Sequence, residues 1–159
     1  ALMEGMMLGG LSAIVNLRYP GTAIQAVLAT IVVAGVTLAL FANGKIRTTP
    51  KLNKIFMIGA LSYLGYGLVS MLTAGLFGFS LNSMSIGGIP LGLPIALIAV
   101  AMATYSLLID YTTTAEAVDA GLPQSESWRL AFGLTASLVW LYVEILRVLM
   151  YLASIFSND

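Results

Sequence analysis

Two charged residues, Glu144 and Arg147, sit inside a stretch apolar enough to lie in lipid, GLTASLVWLYVEILRVLMY from Gly133 to Tyr151. A charge at membrane depth is rare and costly, and it usually faces the protein interior or water. Six residues of this stretch recur at helical spacing: Gly133, Ser137, Trp140, Glu144, Arg147 and Tyr151. On a helix they form one stripe. It carries two small residues, two aromatics with a polar handle, and an acid three residues ahead of a base. A second acid, Asp110, closes an earlier apolar run. Two carboxylates brought together at low dielectric cannot both ionise cheaply, so they can share a proton and change geometry when it leaves. Asp110 and Glu144 are therefore a candidate proton sensor or cation latch. Hard cations such as Ca²⁺ prefer carboxylate and carbonyl oxygens, so the same two residues are the candidate ligands for a transient Ca²⁺, and no resident cofactor is expected. A plainer reading stands beside this one. Glu144 and Arg147 can neutralise each other across three residues of one helix, and Asp110 can simply mark the membrane boundary.

Other polar residues fall where a pore or an interhelical contact could use them. Tyr63 and Tyr66 share a helical stripe with Gly59, Ser70 and Thr73; Ser106 shares one with Ala103, Asp110 and Thr113; Ser137 lies on the Glu144 stripe; Glu4 borders a face near the start of the chain. Gly5, Gly9, Ser12 and Asn16 fall on one face, and a small residue at every fourth position lets two helices approach closely in lipid. Gly5, Gly9 and Ser12 are the candidate helix-packing residues.

The elements that position these groups follow from composition. Of the 159 residues, 59% are hydrophobic and 9% charged, whereas a soluble domain carries about 25% charged residues. Most of this chain is therefore solvated by lipid. At roughly 20 residues per crossing, the sequence reads as one transmembrane domain over residues 1–159, an all-α polytopic bundle of five helices at about 1–17, 23–41, 55–77, 91–117 and 128–155, with the last helix central. Pro20-Gly21, Asn43-Gly44 and Gly121 with Pro123 punctuate the helices, and Pro50 suits the first turn of a short surface helix ahead of the third span. The apolar run is already under way at residue 1, so the chain reads as part of a longer one.

Four of the seven basic residues and no acid lie between Asn43 and Lys54. The positive-inside bias places that loop in the cytoplasm. The uncharged loop from Gly78 to Pro90 then lies outside, and the tail Ser157-Asn158-Asp159 is external. A formal net charge of zero, with no basic patch elsewhere, gives no electrostatic case for nucleic acid. With no Cys and no His, zinc sites of the usual kind, disulfides and His-based nucleophilic triads are excluded. No phosphate-binding loop or metalloprotease motif is present, so no enzyme activity is expected.

Several segments are familiar as a set. The opening E-G-x-x-L-G-G-x-S (Glu4 to Ser12), the R-Y-P-G turn with the following QAVLAT, the G-K-I-R-x-T-P-K loop, and W-R-L-A-F-G-L-T-x-x-L-V-W-L-Y-V-E-I-L-R near the end occur in order across nearly the whole chain. The sequence resembles the Bax inhibitor-1/YccA family of membrane proteins, particularly a bacterial branch. That resemblance implies the last five helices of a seven-helix fold, in a bacterial inner membrane. It also implies a pair of acids, one late in the penultimate helix and one in the last, acting as a pH-sensitive latch over a Ca²⁺ leak path. Leu141-Tyr142-Val143-Glu144 looks like the family's L-Y-L-D, with Glu in place of Asp, and Asp110 looks like its partner. The family's other role is restraint of a membrane-anchored protease. The alternative expectation is accordingly a non-conducting accessory subunit on such a protease or on a larger membrane complex, docked through the small-residue face of the first helix.

Overall fold

In lipid no water is available to satisfy backbone N–H and C=O groups, so a spanning segment must bond them within itself. The apolar runs of this chain do so as helices. A computed structural model describes residues 2–18, 20–44, 48–78, 85–86, 89–90 and 92–157. They form α1 (Leu2–Arg18), α2 (Thr22–Ala42), α3 (Pro50–Phe77), α4 (Gly92–Asp119) and α5 (Ser127–Ser157), with a 3-10 turn at Gln124–Glu126. Two short strands, β1 (Ser85–Ile86) and β2 (Ile89–Pro90), pair antiparallel with Ile86 opposite Ile89. The rest of the uncharged loop, residues 45–47 of the basic loop, and 158–159 of the tail lie outside the described residues.

The chain is an all-α membrane bundle in which α2, α3, α4 and α5 are each long and apolar enough to cross. The described α1 has 17 residues, about 25 Å of helix, somewhat under the ~30 Å hydrocarbon core. Helix α3 starts at Pro50 and not at Ile55. The short surface helix expected there is its own first turn: Thr49 accepts a hydrogen bond from the Leu52 N–H at 3.1 Å and Pro50 occupies the first position, the usual chemistry of a helix start. Ahead of α2 the Asn16 side chain accepts from the N–H of Gly21 at 2.8 Å, and the φ of 86° at that glycine turns the chain into the helix. Helix α4 stops at Gly121, whose φ of 66° lets the Leu122 N–H turn back to the Ala117 carbonyl.

Helix α5 is the pillar. From Val139 to Ala153 none of its residues is exposed, whereas its first turns leave Trp128 and Phe132 facing outward. Helix α4 lies closest to it, because Ala96, Ala99 and Ala103 are fully buried and allow the backbones to approach. At the start of α4 any side chain on Gly92 would collide with the ring of Tyr151. Leu107, Leu141 and Leu146 are the largest fully buried side chains. Helix α2 supplies a stripe of Thr22, Ala26, Thr30 and Thr37, and two of its hydroxyls bond back to their own helix, Thr30 to the Ala26 carbonyl and Thr37 to that of Val33. Buried hydroxyls are thus satisfied without a partner helix. Helix α3 is different. None of its described residues is buried, and only the face of Phe56, Gly59, Ala60, Tyr63, Tyr66, Ser70 and Thr73 turns inward.

Truncating a packed leucine should separate core from lipid face. Leu107→Ala is expected to lower the unfolding free energy in detergent by about 2–4 kcal/mol. Leu72→Ala, on the exposed side of α3, should change it by less than ~0.5 kcal/mol. Denaturation of the purified variants followed by circular dichroism makes the comparison.

Candidate functional site

The α5 stripe turns toward α3 and α4, and each of its residues meets a partner there. Near the start of α5, Gly133 leaves room for Asp110: a Cβ at that glycine would lie 3.4 Å from Asp110 Oδ1. One turn on, Ser137 donates to Asp110 Oδ2. The Ser137 hydroxyl also lies 2.8 Å from that of Ser106. Its single proton is committed to the carboxylate, so Ser106 must be the donor in that second bond. The result is a directed chain from Ser106 through Ser137 to Asp110. Its polarity reverses if Asp110 takes up a proton and becomes a donor itself.

The next layer is aromatic. Trp140 packs against Tyr63 with ring centroids 6.2 Å apart, and against Phe56 at 6.4 Å. Beyond it Glu144 is 2% exposed. Tyr63 reaches across from α3 and donates to Glu144 Oε1. The same hydroxyl accepts from Arg147 Nη1 at 2.8 Å, and that nitrogen lies 3.3 Å from each Glu144 oxygen. Tyr63 is therefore a bridge between acid and base as well as a neighbour of the acid. Arg147 keeps 24% of its side chain exposed against 3% for Glu144. It opens into a groove of 360 Å³ between α3 and α5, which Tyr63, Tyr66 and Ser70 also line. Arg147 thus connects a buried carboxylate to a polar opening on the side of the bundle.

Both readings of Glu144 bear on this arrangement. The Glu144–Arg147 pair forms. Asp110 is anchored at Ser137, seven residues before Glu144 on α5, or about 10 Å along the axis, so the two carboxylates do not touch in this arrangement. Among the described residues no three Asp, Glu, His or Cys side chains gather where a metal could sit, and Ca²⁺ takes six to eight oxygens, with roughly that many needed at one point. Asp110 and Glu144 offer single carboxylates to separate layers.

The remaining candidates divide. Ser12 is engaged, through a hydrogen bond to Tyr142 of α5. Gly5 and Gly9 are not: a Cβ built on either meets nothing within 4 Å. No close helix contact forms at these two glycines among the described residues; α1 meets the bundle through Ser12 and Val15, and Leu8 lines a cavity beside α2 and α5. Glu4 stands half-exposed in the first turn of α1. Tyr66 lines the groove beside Arg147. Sequence reasoning placed Tyr63 and Ser106 among general pore or packing residues. Their attachment to particular acids, and the aromatic layer of Phe56 and Trp140, were not read. The signals were stripes within single helices: Gly59 to Thr73 gave the inward face of α3, Ser106 shared a face with Asp110, and Trp140 lay on the Glu144 stripe, each without a partner on another helix.

Long apolar helices around a pillar that carries a buried acid, paired with a half-buried base, at mid-length define a polytopic helical membrane protein. The chain belongs to the Bax inhibitor 1 like family, whose family model matches residues 1–154. No curated protein and no solved structure matches the chain.

Removing one member of a buried ion pair leaves an uncompensated charge, which costs about 3–5 kcal/mol. Arg147→Met should therefore destabilise strongly, whereas Glu144→Gln combined with Arg147→Met should recover much of the loss. Tyr63→Phe keeps the ring and removes the bridge, at a cost of about 1–3 kcal/mol. A double-mutant cycle on melting in detergent reads all of these. Additive losses for Glu144 and Arg147 would contradict the pairing.

Proposed function

We propose that the protein is a pH-sensitive leak pathway for protons or Ca²⁺ in a bacterial cytoplasmic membrane, gated by Asp110 and Glu144, with no enzymatic step. The observation that carries the reading is Glu144. It is buried at 2% exposure midway along the central helix, and its hydrogen-bonded neighbour Arg147 opens into the polar groove. A carboxylate held there is the kind of group through which protons and cations are handled in membranes. The Asp110 chain sits on one side of the Trp140 layer and the Glu144 cluster on the other, so two polar compartments are divided by one layer of rings and leucines. Protonation of Glu144 removes the charge that holds Arg147, and it leaves Tyr63 a weaker, uncharged acceptor. Helix α3, which buries nothing of its own, is the element such a change would release. The positive-inside bias of loop 43–54 supports a cytoplasmic side for the Asp110 compartment.

Flux in proteoliposomes should rise as pH falls. Glu144→Gln should hold it near its acidic level at every pH, because the amide cannot ionise, and Asp110→Asn should shift the profile. An unchanged pH dependence in both variants removes the gate from this protein.

A second reading has its own observation. The open space over Gly5 and Gly9 is a face on which another membrane helix could lie closely. An accessory subunit of a larger membrane complex, or a regulator of a membrane-anchored protease, would dock there. Stable co-purifying subunits in mild detergent, lost on Gly5→Leu and Gly9→Leu, together with no flux from the isolated protein, would favour it.

A further inference from the structure

Helices α3 and α4 diverge into a crevice of 310 Å³ that Asp110, Glu144 and Arg147 do not line. Its α3 wall is Leu52, Ile55, Phe56 and Gly59, four residues at one helical face. Its α4 wall includes Ile98 and Met102, and Tyr105 stands at one end. Gly59 keeps the floor open, since a Cβ there would already reach the Met102 methyl at 3.4 Å. Lined this way the crevice gives water almost nothing to bond, so an apolar chain fills it better.

The end marked by Tyr105 has a different chemistry. The Tyr105 hydroxyl donates to the Asn53 side chain at 2.5 Å in an exposed hydrogen bond. Lys51 lies one helical turn before Ile55 on the crevice face, and Lys54 follows within the same turn; both are exposed. They belong to the run from Asn43 to Lys54 that concentrates four basic residues without an acid. An apolar slot between helices, with a positive mouth at the membrane surface, matches a lipid carrying net negative charge. A zwitterionic lipid would satisfy the slot and leave the mouth uncompensated.

We propose that this crevice is a binding site for one anionic phospholipid, with an acyl chain between Phe56, Gly59 and Met102 and the phosphate beside Lys51 and Lys54. The site contains neither acid of the leak and meets it only at Phe56, which also packs on Trp140. It also completes the packing of α3, which no buried residue of its own secures.

Trp140 reports on it, because its indole lies against Phe56 with centroids 6.4 Å apart. In the detergent-solubilised Trp128→Phe variant Trp140 is the sole tryptophan. Phosphatidylglycerol brominated on its acyl chains should quench it saturably at a mole fraction about fivefold or more below that needed with brominated phosphatidylcholine. Lys51→Gln with Lys54→Gln should abolish the preference and leave residual quenching. Gly59→Leu should remove the saturable component for both lipids. Ala101→Phe, at an exposed position of the same crevice, is a second filler should the glycine change disturb folding. Coincident curves for the two lipids, or a preference that survives loss of both lysines, would overturn the proposal, as would saturable quenching that persists in both filled variants.

Discussion

One constraint shapes the interior of this bundle: an acid in the middle of a membrane helix has to be answered by side chains, since the surroundings offer nothing else. Glu144 is answered twice, by Arg147 on its own helix and by Tyr63 from α3. The first answer is local and any isolated helix could supply it. The second needs a particular neighbour at a particular depth, and so it fixes the register of α3 against α5. Around that fixed point the aromatic layer of Phe56, Tyr63 and Trp140 falls into place. A peripheral helix with no buried residue is thereby held in the bundle by its inward side chains, most of them aromatic or hydroxyl-bearing.

The same logic separates two kinds of polar group. Thr30 and Thr37 of α2 close on their own backbone through their hydroxyls. Asp110 cannot do this. It draws on Ser137 and, through it, Ser106, while Gly133 provides the space. Groups of the first kind make a helix tolerable in lipid. Those of the second kind commit two helices to each other. Charge, hydroxyl and ring therefore have distinct offices here: the hydroxyls carry direction, the charges carry coupling, and the rings keep the two polar layers apart.

Much of this was legible in the sequence, and the limits have a physical cause. Low charge and long apolar runs are properties of single segments, so the helices could be read directly, and the charged stripe inside the last one pointed to its central place. Proline and glycine marked most of the ends. Pro50 misled only in extent, since the chemistry of a helix start is the same for a short surface helix and for a long span beginning there. The stripe from Gly133 to Tyr151 identified the working face of α5, and the one from Gly59 to Thr73 the inward face of α3. The choice of partner was not legible. Tyr63 and Glu144 are 81 residues apart, and no period within either helix states how far one slides along the other. Gly5 and Gly9 show the converse failure. A small-residue face records that close approach is allowed, and α1 rests on the bundle elsewhere.

The position of the pillar in the chain has a consequence for how the molecule is made. Tyr63, Asp110 and Ser12 all find their partners on α5, and the space above Gly92 is closed by its Tyr151. Each of those residues emerges from the ribosome before α5 exists. During synthesis the earlier helices must therefore wait in the membrane with polar groups unanswered and a gap at their centre. Assembly is completed from the inside, by the segment that arrives after them.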